Sequence, residues 1–116
     1  MESILNSIKK MLGPTDVYTQ FDVDIITHIN TAFKDLKRLG VGPSNGFIIE
    51  DDTTVWTDFI TDPIKCADAK TYVYLSVKLV FDPPTNSSVL KAMQERLDKL
   101  EWTMSVDAET EETEVI

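Results

Sequence analysis

Residues 72–84 read Tyr72-Val73-Tyr74-Leu75-Ser76-Val77-Lys78-Leu79-Val80-Phe81-Asp82-Pro83-Pro84. Lys78 is the one charge in the first ten positions. Two prolines then stop the run. Each lacks an N–H and fixes φ, so the pair neither continues a helix nor sits in a central strand. A second apolar-periodic segment follows and closes on Leu100-Glu101-Trp102. Two long elements therefore meet at a rigid corner, which suits a scaffold of fixed shape better than a mobile catalytic loop.

Two readings compete for residues 63 to 82. Val73, Leu75, Val77, Leu79 and Phe81 alternate with period two, the mark of a strand. Against this, Asp62-Pro63 is a cap followed by a first-turn proline. The segment also runs about twenty residues without a turn signal, where strands average about 5–6. A lone strand among helices has no partner. We take the segment as a helix, buried on most faces.

The neighbours are helical by period. Ile4, Leu5, Ile8, Met11 and Leu12 make residues 3 to 12 a short amphipathic helix, ended by Gly13-Pro14. It needs a surface to lie on, because isolated helices this short are marginal. In residues 22 to 39, Asp22 is a good N-cap and Asp24 suits the first turn. Ile25, Ile26, Ile29, Phe33 and Leu36 form the stripe, and Gly40 terminates. Residues 40 to 53 are a loop of turn formers, with a brief extended piece at Phe47-Ile48-Ile49 and an acidic tip at Glu50-Asp51-Asp52. Thr53 or Thr54 caps a short helix carrying Val55, Trp56 and Phe59. In residues 87 to 105, Ser87 or Ser88 is the cap. Leu90, Met93, Leu97, Leu100 and Met104 then form a seam spaced by threes and fours. Residues 107 to 116 are acidic and aperiodic, so they read as a disordered tail when free.

The expected fold is all-α: a bundle of about four helices with one short helix and a loop, in residues 1–105, plus a flexible acidic tail at 106–116. A chain of 116 residues is one domain with one modest core. No apolar run approaches the ~20 residues of a membrane helix, and Met1-Glu2-Ser3-Ile4 does not open like a secretory signal. The single cysteine, Cys66, allows no internal disulfide and fits a reducing cytosol. The net charge is −9, and five of the twenty acids lie in the last ten residues. The remaining fifteen acids against eleven bases leave the body at −4. That balance lacks the clustered cations that neutralise phosphates, so tight nucleic-acid binding is disfavoured.

Catalytic and metal constellations fare poorly. One His and one Cys do not make a zinc site. His28 reads as a surface or half-buried histidine, and Cys66 with His28 lacks a third orienting group for nucleophilic catalysis. Glu50-Asp51-Asp52 with Asp58 offers oxygens to a divalent cation, but a solvated loop explains it as well. Gly40-Val41-Gly42-Pro43 places proline where a phosphate loop needs N–H groups. We expect no enzyme and no cofactor. Tryptophan is enriched at interfaces but also completes cores. Both roles stay open for Trp56, with Phe59 beside it, and for Trp102.

One resemblance joins these pieces. Tyr72-Val73-Tyr74-Leu75-x-Val77-x-Leu79-x-Phe81-Asp82-Pro83-Pro84, ending in Leu100-Glu101-Trp102, resembles the small head–tail connector, or adaptor, proteins of tailed bacteriophages. Leu39-Gly40-Val41-Gly42-Pro43, Trp56-Thr57-Asp58-Phe59 and Ile8-Lys9-Lys10-Met11-Leu12-Gly13 fall at matching places, so the likeness spans residues 1 to about 105. It implies a helical, non-catalytic virion subunit that forms a ring beneath the portal ring. Such a ring extends the DNA channel and seats the next neck, stopper or tail protein. The subunit would be a monomer when free, made in the host cytoplasm and ending in the virion neck, and DNA would pass without being gripped. Trp56 and Phe59 are then candidates for the subunit interface, and Trp102, Met104, Val115 and Ile116 for the portal contact. The alternative is a small acidic regulator, such as a DNA mimic that blocks a host nuclease or repressor.

Overall fold

The apolar run is helical. The structure, a computed structural model, describes residues 2–13 and 19–115, with residues 109–115 as backbone alone. Among the described residues five α-helices follow in chain order: α1 (Ile4–Leu12), α2 (Asp22–Arg38), α3 (Trp56–Phe59), α4 (Pro63–Phe81) and α5 (Ser87–Val115). One 3₁₀ turn, Thr19–Phe21, leads into α2. Among the described residues no strand forms; a single antiparallel bridge pairs Ser3 with Val55.

Helix α4 holds the centre. Asp62 caps it by accepting from the N–H groups of Ile64 and Lys65, at 2.9 and 3.2 Å, and Pro63 opens the first turn. Tyr72, Val73 and Val77 are fully enclosed, and Ala69 and Leu75 are buried beside them. Helices α1, α2 and α5 all pack on it. The period-two pattern that imitates a strand reflects a helix covered on several sides, where apolar residues need not keep to one stripe.

The other termini have identifiable stops. Ser3 caps α1 through its Oγ, which accepts from Asn6 N–H at 3.1 Å. Gly13 closes α1 by donating to Lys9 O; Pro14, expected to share that role, lies outside the described residues. Helix α2 ends in a Schellman motif. Gly40, at φ +85°, donates to Lys37 O, and Val41 donates to Leu36 O.

Several caps differ from expectation. Asp22 is the first residue of α2 and Phe21 holds the cap position. The Asp22 carboxylate pairs instead with the buried Lys9 at 2.8 Å, tying α1 to α2. Helix α3 has its N-cap at Val55 rather than Thr53 or Thr54, because Asp58 Oδ2 reaches back to accept Val55 N–H at 3.0 Å. Helix α5 is capped by Asn86, whose Oδ1 accepts from Ser88 and Val89, so Ser87 and Ser88 are already helical. Phe47-Ile48-Ile49 forms no strand. Ile49 is pinned by Asn30, which accepts its N–H at 2.8 Å and donates to its carbonyl at 3.0 Å.

Helix α5 does not break at residue 106. Its 29 residues span about 43 Å at 1.5 Å per residue, along a body measuring 49 × 35 × 20 Å. Its packing stops earlier than its backbone. Leu100 and Met104 are its buried residues among those described, with Met93 and Leu97 half-covered. Ala108 is the last described side chain and lies against the Gly40 turn.

Limited proteolysis is expected to trim the acidic end and halt near Met104 to Ala108; rapid cuts within 63–104 contradict this packing. Replacing both Pro83 and Pro84 with Gly is expected to lower unfolding free energy by about 1–2 kcal/mol, through a freer unfolded chain. A urea titration with an unchanged midpoint would make the corner a mere linker.

Candidate assembly surface

The aromatic cluster at the loop side of the core holds two expected interface residues. Trp56 is 7% exposed and Phe59 is 5% exposed. Phe33 meets the Trp56 ring at 6.1 Å between centroids and the Phe59 ring at 4.7 Å. Phe47 lies edge-on to both Phe33 and Phe59, at 5.1 and 5.2 Å. The Trp56 indole N–H donates to Ser7 Oγ at 2.8 Å, and Ser7 donates in turn to Ile4 O. This bond fixes α1 against α3. Within the chain itself Trp56 and Phe59 complete the core rather than standing exposed. A buried indole needs a partner for its N–H, and Ser7 supplies it.

Trp102 takes the opposite position, 69% exposed on α5. Met104, expected beside it at a partner surface, is buried. Of the other two expected contacts, the Val115 side chain and all of Ile116 lie outside the described residues. The signal that separates Trp102 from Met104 is present in the spacing. Leu97, Leu100 and Met104 keep to one seam, while Trp102 stands about 200° around the helix from each of Leu100 and Met104.

A cleft of about 440 Å³ opens between the α2–α3 loop, the start of α4 and the far half of α5. Val41, Phe59, Ile60 and Met104 contribute its apolar walls. Gly42 lines it at φ +89°, and a Cβ there would collide with the Phe59 ring. Its rim holds four carboxylates, Asp58, Asp62, Asp68 and Asp107, against one ammonium, Lys65. Sequence reading missed this cleft, because its walls come from stretches distant in the chain.

Several polar groups shape the turns and helix contacts nearby. Asp51 accepts from the N–H and hydroxyl of Thr53. Those bonds hold its carboxyl below the usual carboxylate range. Asp58 is occupied at the α3 start, so two members of the acidic tip set act as turn formers. No cluster of three metal-ligating side chains occurs among the described residues. Burial pushes the Cys66 thiol up, away from the reactive thiolate. His28 lies against Phe81 at the far end of α4, 6.5 Å between rings, while Cys66 sits some fifteen residues or about 22 Å back along that helix. The pair is not brought together. The Tyr72 hydroxyl donates to Glu101 at 2.7 Å, joining α4 to α5. Its pKa is raised well above the ordinary phenol value, first by burial and then by Glu101.

The surface combines a helical body, a cleft lined by charged groups and an exposed tryptophan. Comparison with known families adds that the sequence profile described as "Phage connector protein" matches residues 4–111. The chain belongs to that family. Membership gives this connector a structural, head–tail connecting role in phage, in the company of other phage proteins. No curated protein and no solved structure matches the chain. No helix among the described residues is long and apolar enough to cross a membrane.

Trp56→Ala is expected to cost about 3–5 kcal/mol of stability, as for other buried large side chains. Trp102→Ala should stay within about 0.5 kcal/mol of the parent, as for exposed positions. Thermal unfolding of the two variants measures both, and the reverse order would exchange their roles.

Proposed function

We propose that this connector is one subunit of a ring that docks beneath the phage portal, extends the DNA channel and seats the next neck or tail protein. The observation that carries the reading is the family match across residues 4–111, nearly the whole chain. The physical features agree with it. The body is a thin plate, 20 Å in its smallest dimension, a shape that packs side by side. Its net charge of −9 discourages adhesion of DNA moving through the channel. The acidic end of α5, beyond the packed part of the helix, is the element offered to the portal.

Free subunits stay monomeric in this scheme. A weak side-to-side contact gains strength only when a template holds many copies at once. The experiment is negative-stain microscopy of the purified protein mixed with its portal. A ring stacked on the portal is the expected image. Portal particles with no added density, under conditions where the connector is folded, would overturn the reading.

A further inference from the structure

The ring reading leaves open which surfaces join neighbouring copies, and α5 bears two unlike patches on opposite flanks. Trp102 points outward, with Val106 about 40° and Lys99 about 60° from it around the helix. On the other flank, Met104, Asp107 and Ala108 line the acidic-rimmed cleft. They stand about 200°, 140° and 240° from Trp102. One helix thus displays a knob on one side and forms the wall of a recess on the other.

We propose that Trp102 of one copy seats in the cleft of the next copy, making a head-to-tail contact that repeats around the ring. The proposal rests on the ring function argued above and names its joint. Three observations select a second copy as the occupant. First, an indole is a large, flat apolar group, and a recess of about 440 Å³ walled by Val41, Phe59, Ile60 and Met104 has room for it. Second, the charges do not oppose the contact. The rim carries four carboxylates against one ammonium, while Lys99 and Lys91 stand about 60° and 20° from Trp102 around α5, and Asp98 and Glu95 about 40° and 20°, so the knob flank is neutral where the rim is net negative. Third, the patches differ and lie on opposed flanks. Patches on opposed flanks cannot both be engaged across one two-fold axis, whereas a heterologous contact propagates and closes into a ring when the rotation between copies allows it.

The cleft walls are already set before a partner arrives. The Gly42 turn and the Phe59 ring are in close register, and Asp58 and Asp62 are held by the N-terminal turns of α3 and α4. A preformed recess spares the ordering cost that would otherwise weaken each contact.

The test uses the full chain with Cys66→Ser as background. Lys99→Cys and Thr61→Cys are introduced singly and together, with Trp102 kept, and the proteins are oxidised at high concentration. The double variant is expected to give a ladder beyond the dimer, because each copy bridges two neighbours. Each single variant should give little product. Efficient dimers from Lys99→Cys alone, or no ladder from the double variant, would overturn the contact. The second arm is ring formation on the portal, where Trp102→Ala is expected to raise the concentration required by at least about tenfold, as for an interface tryptophan. If the parent forms rings and Trp102→Ala forms them equally well, this joint is wrong while the ring function stands. If the parent forms none, the ring function itself fails.

Discussion

Enclosure of α4 is the constraint on which everything else depends. A helix with apolar residues on several faces is unstable until it is covered. Helix α1 covers one side, α2 a second, and α5 a third after the proline corner turns the chain back. The corner stops α4 at Phe81 and fixes where the next helix begins, so that Glu101 arrives opposite Tyr72 and Met104 arrives at the core. Each covering helix is then fastened by a specific polar contact. Lys9 and Asp22 join α1 to α2, Trp56 and Ser7 join α3 to α1, and Tyr72 and Glu101 join α4 to α5. Apolar burial supplies the drive, and these few polar contacts set the register.

The same economy governs the acidic residues around α3. Asp51, Asp58 and Asp62 each accept backbone N–H groups, so their charges are used to shape turns. Two of them end up on the cleft rim as a by-product of capping α3 and α4. A recess with a fixed acidic edge emerges from helix starts.

Much of this fold was legible in the chain. Asp62-Pro63 marked the start of α4, Pro83-Pro84 its stop, and Gly40 the end of α2, because each acts through its own backbone. Caps were harder where two neighbours compete. Thr53 and Thr54 look better than Val55 by residue type, yet Asp58 three positions on selects Val55. Asn86 took the cap from the two serines after it for the same reason. The acidic stretch after Ser105 lacks an apolar period, yet Glu and Ala favour helix once α5 has begun. The two tryptophans were the least legible pair. Trp56 owes its burial to Ser7, forty-nine positions away, and no local pattern announces such a partner. Trp102 was readable in principle, because it falls off the seam that Leu97, Leu100 and Met104 define.

That contrast between the tryptophans has an optical consequence. Both indoles fluoresce, and their surroundings differ as much as two sites in one small protein can. Trp56 emits from within the core beside the Phe33 ring, so its colour follows the integrity of the core. Trp102 emits from water, so its colour and its access to a soluble quencher follow whatever comes to cover α5. The chain carries two native dyes on separate circuits, one for folding and one for association, and removal of the exposed Trp102 leaves Trp56 to be read alone.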